Sequence, residues 1–158
     1  MFTRITLACL TSACFKRCLA CLLLALFSAT VSAVETMPAG LWHIIDNDSG
    51  KPEALLSIEQ SAGTVRGTIV KVYPVPGEDT APLCRLCESE LKDKPMIGLT
   101  VLWNLKPEDK QHFSGKVLDP ESGKIYRCQL TPQPNGKEMQ LRVYAALFWE
   151  DHKLQRAD

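Results

Sequence analysis

Hydrophobic and polar residues alternate along most of the chain from Gly40 onward, with the period of two that is typical of β-strands. Short segments rich in Asn, Asp, Gly and Pro separate the alternating runs, and no run after residue 33 keeps a helical period. The pattern predicts strands at 40–46, 53–60, 64–73, 96–103, 112–118, 124–130, 138–144 and, as a short eighth, 153–156. This arrangement predicts an all-β fold, an up-and-down antiparallel barrel of about eight strands.

The clearest hairpin surrounds the turn Asp119-Pro-Glu-Ser-Gly123. Pro120 fixes φ and Gly123 tolerates a positive φ, so the segment is suited to reverse the chain. Asp119 is expected to accept hydrogen bonds from the turn backbone rather than to act as a catalytic acid. In the second strand of this hairpin, Cys128 shares a face with Tyr126 and Leu130, which predicts a thiol turned toward the interior.

One long irregular segment, residues 74–95, separates the third and fourth predicted strands. It contains four prolines and the Cys84-x-x-Cys87 pair, with a short helical turn expected over 88–92. Because loops of this length in compact domains are usually functional or mobile, we expect it at the mouth of the barrel.

Residues 1–33 have the features of a secretory signal peptide. Arg4, Lys16 and Arg17 precede an apolar run over 18–29, and small residues end at Ala33, where cleavage is expected. The run is shorter than the roughly 20 residues of a membrane span, so no stable span is expected after cleavage. The sequence therefore predicts a domain of residues 34–158 in the periplasm or outside the cell.

Removal of this segment leaves 15 basic and 18 acidic residues, a net charge of −3. That balance, without aromatic residues interleaved among cations, argues against nucleic acid as a partner. Four of the seven cysteines lie in the segment, and Cys84, Cys87 and Cys128 remain in a compartment that permits disulfides.

The three remaining cysteines allow several pairings. A local Cys84–Cys87 disulfide would close a small ring, whereas a bridge from either one to Cys128 would stabilise the fold by about 3–4 kcal/mol. Cys84 and Cys87 could instead form a redox pair or a zinc site. A redox pair normally lies between a strand and a helix, which this chain lacks, and a zinc site would need Cys128 and His112 as further ligands. The oxidising compartment favours a structural disulfide, and we favour the local one.

Catalytic motifs are absent from the sequence. His43, His112 and His152 are scattered without partners at triad or metal spacing, and there is no Gly-x-Ser-x-Gly elbow and no phosphate-binding glycine loop. The sequence predicts a protein that is not an enzyme, with no cofactor and no metal.

Several motifs occur in a fixed order, namely Gly40-x-Trp42, Asp46-x-x-x-Gly50-Lys51, Cys84-x-x-Cys87, Lys94-Pro95-x-x-Gly98, Asp119-Pro120-x-Ser122-Gly123-Lys124-x-Tyr126 and Arg142-x-Tyr144. As a set, they resemble an uncharacterised family of secreted bacterial proteins, a domain of unknown function with a lipocalin-like barrel. The resemblance covers about residues 39–156. It implies a periplasmic or secreted barrel that binds a small apolar ligand, and no established activity.

Two positions depart from the family pattern. Val143 stands where the family usually has Gly, and Leu154 stands where it usually has Trp. A shorter or shifted last strand is therefore expected. The resemblance also implies a structural contact in which Arg156 of the last strand stacks over Trp42 of the first and closes the barrel base, a cation–π contact of roughly 0.5–2 kcal/mol.

The inward faces of the strands suggest where a ligand would bind. The candidate barrel lining consists of Ile97, Leu99, Val101, Trp103, Tyr126, Met139 and Leu141. These residues form either a packed core or a pocket with the long loop at its mouth. Three functions follow: a binding protein for a small, mostly apolar ligand; an envelope module that binds an unknown protein through the loop or a strand edge; and a thiol oxidoreductase.

Overall fold

The computed structural model describes residues 37–157. The predicted signal peptide and its four cysteines lie outside the described residues. Cleavage after Ala33 and export therefore stay predictions. Among the described residues, no helix has the length and apolar character that crossing a membrane requires.

Eight strands and one short 3₁₀ helix, Ser89–Leu91, make up the regular structure of the described residues. The strands are β1 (Gly40–Ile45), β2 (Pro52–Ser61), β3 (Thr64–Val72), β4 (Thr100–Pro107), β5 (Phe113–Asp119), β6 (Lys124–Pro132), β7 (Glu138–Ala145) and β8 (Phe148–Arg156). Each strand pairs antiparallel with the next, and β1 pairs with β8. The predicted up-and-down, closed lipocalin-like barrel is thus confirmed.

Alternation of side chains explains how the strands form a core. In β2, Ala54, Leu56 and Ile58 are buried, while the intervening Leu55 and Ser57 are more exposed. Since successive side chains of a strand point to opposite faces, the apolar set of each strand points into the barrel. Buried residues from every strand belong to one hydrophobic cluster, which leaves out only Ile45 and Ala54 among the buried hydrophobic residues of the strands.

The turns follow the local chemistry of their residues. Asp119 Oδ1 accepts hydrogen bonds from the backbone N–H groups of Glu121 and Ser122, at 3.0 and 3.4 Å. This is the capping role expected for Asp119. Gly123, which follows, takes a φ of +70°, and the next hairpin turn repeats the arrangement with Gly136 at +65°.

Strand β4 does not follow the alternation that the sequence predicts. Its register shifts against β3 between the Gly67–Leu102 and Thr68–Thr100 pairs, so Val101 is an extra residue. Such a bulge places two consecutive residues on nearly the same side, and both Val101 and Leu102 are buried. A second irregularity follows at Asn104, whose φ is +56°. A period of two cannot anticipate either bulge.

Strand β8 is longer than predicted. It begins at Phe148 rather than at residue 153, and it pairs with β7 without interruption from Phe148 to Gln155. The expectation of a shorter or shifted last strand is therefore wrong. Leu154 is fully buried in its pair with Met139.

Candidate functional site

The two ends of the barrel differ. We call the end at which β1 begins and β8 finishes the closed end, and the opposite end, which bears the 73–99 loop, the open end. At the closed end, the inward-facing side chains are large and almost entirely removed from water: Trp42, Ile58, Val65, Leu105, Leu130 and Met139. Side chains therefore fill the barrel interior at this end.

Contacts between the first and last strands complete the closed end. The guanidinium carbon Cζ of Arg156 lies 5.3 Å from the centroid of the Trp42 ring, in the stack that the resemblance implies. The indole N–H of Trp42 donates a hydrogen bond to the Pro38 carbonyl at 3.1 Å. Met37 is also buried here, and its backbone N–H donates to Gln60 Oε1 at 2.9 Å. The described start and finish of the chain therefore seal the same end of the barrel.

Apolar side chains that face inward at the open end are only half-buried. Ile44 and Val72 flank the buried Ala54 on neighbouring strands. Tyr126 pairs with Val117 on the other side of the mouth. Val143 pairs with Cys128 and is also half-buried. Because paired residues share a face of the sheet, these partly buried residues pack on the open-end side of the core.

A polar collar accompanies these residues, and it consists of Glu53, Glu150 and His152. His152 pairs with the inward-facing Leu141, and Glu150 pairs with Val143, so both lie on the inward face of β8. His152 Nε2 lies 3.7 Å from Glu150 Oε1. Partial desolvation raises the pKa of Glu53. The charge of His152 lowers this pKa, whereas nearby carboxylates, Glu150 among them, raise it further. The collar therefore carries more acidic than basic groups.

Sequence reasoning missed this collar. Residues 145–151 show no clear period, and His152 has no partner at triad or metal spacing in the sequence. The available signal was that every second residue of this strand, namely Phe148, Glu150, His152 and Leu154, shares a face. Since Glu150 and His152 are polar, however, that face resembles one that points to solvent.

The predicted lining residues lie in different places. Ile97 is a correction: it precedes β4, beside Gly98 with a φ of +91°, and it is 49% exposed because the chain turns there. Trp103 is a second correction, since it pairs with the exposed Lys116 on the outer face once the bulge at Val101 has changed the phase of β4. The remaining five are Leu99, Val101, Met139 and Leu141, which are buried in the core, and the half-buried Tyr126. That any of them contacts a ligand stays a prediction.

The cysteines adopt the local pairing. Cys84 and Cys87 form the disulfide, with their Cα atoms 5.4 Å apart, while Cys128 is free and buried. A bridge to Cys128 is therefore wrong, because both partners are already joined to each other. Burial raises the pKa of the Cys128 thiol to about 12, so it stays protonated and unreactive at neutral pH.

The disulfide-bearing loop is held against the β5–β6 turn at the open end. Cys84 Sγ lies 3.5 Å from the Pro120 carbonyl oxygen. A Cβ added to Gly123 would lie only 1.9 Å from the carbonyl oxygen of Leu86, so the two backbones meet in close contact. The loop is thus attached at the rim of the mouth through its Cys84–Cys87 segment.

The three histidines serve separate local contacts. His43 lies on the outer face, its ring centroid 5.6 Å from that of Tyr73. His112 Nδ1 is 2.7 Å from Asp109 Oδ2, and His152 belongs to the collar. Within residues 37–157, no three His, Cys, Asp or Glu side chains are placed to hold a metal ion together.

Residues 40–156 match the bacterial family described as "Uncharacterized protein conserved in bacteria (DUF2147)". This chain belongs to that family. No curated protein matches it. Among solved structures it is similar to Protein HP1028 from the human pathogen Helicobacter pylori, described as belonging to the lipocalin family, with 16% identity and a TM-score of 0.64 over 78% of this chain and 84% of that one. At this identity, the likeness shows the fold.

Proposed function

We propose that this family member is a non-enzymatic binding protein that holds a small, mostly apolar molecule in the open end of its barrel. The observation that supports the proposal is that the inward-facing apolar residues Ile44, Val72, Tyr126 and Val143 are only partly buried, whereas the closed end is filled by large side chains. A site of this kind, apolar with a few polar groups at its rim, is typical of small-molecule pockets. We further propose that the protein acts in the periplasm or outside the cell.

The filled closed end limits the depth of the site. Trp42 and Met139 are almost completely buried, so a ligand would occupy the outer half of the barrel with one end near the collar. The carboxylates of Glu53 and Glu150 favour a neutral or cationic head group there, because a carboxylate head would be repelled. An aliphatic alcohol or amine of modest length fits this arrangement better than a fatty acid.

A fluorescence titration tests the proposal. We expect residues 34–158 to bind the apolar probe N-phenyl-1-naphthylamine, and dodecylamine and dodecanol to displace it more strongly than dodecanoate. Native mass spectrometry of freshly purified protein would reveal a ligand carried from the host.

Matched substitutions locate the probe. Val143→Trp and Val72→Trp place an indole in the mouth from opposite sides, and each should weaken probe binding at least about tenfold by excluding it. Leu41→Trp adds the same side chain at a partly exposed position near the closed end and should leave binding unchanged. Equal binding by all three variants, or no binding of the probe by the parent protein, would refute the proposal.

The two other functions receive less support. A free strand edge for a protein partner does not exist among the described residues, because β1 and β8 close the barrel. A thiol oxidoreductase needs an accessible sulfur, yet Cys84 and Cys87 are 0% and 3% exposed. Titration against glutathione measures the reduction potential of the Cys84/Cys87 couple. A potential below about −300 mV would identify a structural bridge.

A further inference from the structure

The hairpin between β7 and β8 exposes three consecutive large apolar residues. Leu147, Phe148 and Trp149 are 87%, 78% and 61% exposed. Leu147 lies in the turn, next to Ala146 with its φ of +53°, and Phe148 and Trp149 begin β8 on its inward and outer faces, respectively. Three adjacent side chains of this size in water are costly unless they serve contact with another surface. We call these residues the apolar tip.

A row of amphipathic and cationic side chains runs around the outer face beside the tip. Register pairs Trp149 with Tyr144, Tyr144 with Arg127, and Arg127 with Lys116. Arg127 Cζ lies 5.4 Å from the Tyr144 ring centroid, so the cation is held along the aromatic ring. We call Lys116, Arg127, Tyr144 and Trp149 the outer row.

The two cations of the outer row are available to a partner. Within residues 37–157, neither Lys116 nor Arg127 forms an ion pair, whereas the neighbouring Arg142 is joined to Asp151 at 2.7 and 2.8 Å. The acidic Glu150 alternates to the inward face of β8, away from this row. In the described part of the chain, the outer face beside the tip therefore carries the unpaired cations Lys116 and Arg127, while its carboxylate, Asp151, is paired with Arg142.

We propose that the apolar tip and the outer row dock this protein onto the surface of an anionic phospholipid bilayer. The order of side chains matches the depth profile of such a surface. Leu147 and Phe148 would enter the outer part of the hydrocarbon, Trp149 and Tyr144 would lie at the level of the head groups, and Arg127 and Lys116 would contact lipid phosphates.

A convex tip also favours a bilayer over a protein. A protein partner would need a preformed pocket to cover Leu147, whereas a fluid bilayer adapts to a protruding side chain. The tip belongs to the rim of the open end, since β8 begins there, and Phe148 shares the inward face with Glu150. Vesicle binding does not require a ligand in the barrel, so this docking is tested separately from the proposed function.

Vesicle binding tests the inference. Residues 34–158 are suitable, because every strand of the barrel pairs within residues 40–156. We expect the protein to sediment with vesicles of phosphatidylglycerol and phosphatidylethanolamine, to bind phosphatidylcholine vesicles weakly, and to lose binding as the salt concentration rises. Tryptophan emission should shift to shorter wavelength on binding, and Trp149→Phe should reduce the shift, since Trp42 is already buried and Trp103 is half-buried beside Lys116.

Two double variants separate the contributions. Leu147→Ser with Phe148→Ser should lower the affinity for anionic vesicles at least about tenfold by removing apolar contact. Lys116→Gln with Arg127→Gln should lower it roughly fivefold for each cation and reduce the salt dependence. The controls Leu41→Ser and Lys110→Gln change exposed residues elsewhere and should bind like the parent protein.

Three results would overturn the inference. The first is no binding to anionic vesicles at any lipid concentration tested. The second is equal binding by the tip variant and the parent protein. The third is a parent protein that binds no vesicles but forms a dimer in sedimentation velocity, while the tip variant is a monomer. That result would make the tip a protein interface.

Discussion

The closed and open ends of the barrel are made by the same eight strands, but their interiors are filled differently. At the closed end, Trp42 and Met139 bury their side chains completely or nearly so, and Arg156 covers the indole from the last strand. At the open end, Tyr126 and Val143 remain half-buried beside a polar collar. The barrel is thus more closely packed at the closed end than at the open end.

This difference shows that a barrel need not be uniformly hollow or uniformly solid. Large side chains at one end provide the dispersion and desolvation energy that holds the strands together. The other end keeps smaller and partly polar side chains, at a cost in packing. An attached loop with its own disulfide supports that end from outside.

Truncation of one large side chain at each end should give the largest difference in the free energy of unfolding between the two ends. We expect Trp42→Ala to lower the free energy of unfolding by about 3–5 kcal/mol, because it leaves a cavity in a close-packed region. Tyr126→Ala should cost only about 1–2 kcal/mol, since its side chain is half-solvated. Urea denaturation of residues 34–158 measures both, and equal losses would show that the open end is packed as tightly as the closed end.

Two turn glycines test whether the loop supports the open end. Gly123→Ala should cost about 3 kcal/mol, because the methyl group would collide with the Leu86 carbonyl in addition to straining a positive φ. Gly136→Ala is the matched control, with a similar φ but no atom within 4 Å of an added Cβ, and it should cost about 1 kcal/mol. Thermal unfolding of both variants gives the comparison. Similar losses would mean that the loop contact is dispensable.

Removal of the cation at the closed end should have a smaller effect. Arg156→Gln should lower the free energy of unfolding by about 0.5–1 kcal/mol through loss of the contact with Trp42. Arg66→Gln provides a comparison, since Arg66 forms only an exposed ion pair of 3.7 Å with Glu59 and should contribute almost nothing. If the two variants unfold at the same urea concentration, the stack does not stabilise the closed end.

The polar collar should produce the smallest effect, and one that depends on pH. The pKa of Glu53 is raised in the folded protein, which means that folding favours its protonated form. Glu53 therefore stabilises the fold at a pH below its ordinary pKa, and this contribution is lost as the pH rises through the pKa of the folded state. Glu53→Gln should therefore raise the melting temperature at pH 7 and leave it nearly unchanged at low pH.

Glu138 provides the opposite sign. The hydrogen bond from Lys153 lowers the pKa of Glu138, so the carboxylate stabilises the fold above its ordinary pKa and loses that contribution as the pH falls through the folded value. Glu138→Gln should lower the melting temperature at pH 7. A fall with Glu53→Gln as well would contradict the assignment of the collar as a desolvated acidic group.

Much of this architecture was determined by the sequence alone. The period of two placed most strands, and turn residues such as Asp119 and Gly123 marked the hairpins, because these signals depend on local backbone preferences. The number and order of strands then left an up-and-down barrel as the simplest way to bury their apolar faces. The sequence left the cysteine pairing open and favoured the local bridge, and the structure shows Cys84 joined to Cys87.

Only the tertiary structure decided which side chains share the open end. The bulge at Val101 placed Trp103 outside and Leu102 inside, and the turn before β4 exposed Ile97. The register of β8 turned His152 toward the interior. Bulges and register depend on pairing between strands that are distant in sequence, and a local pattern contains no information about that pairing.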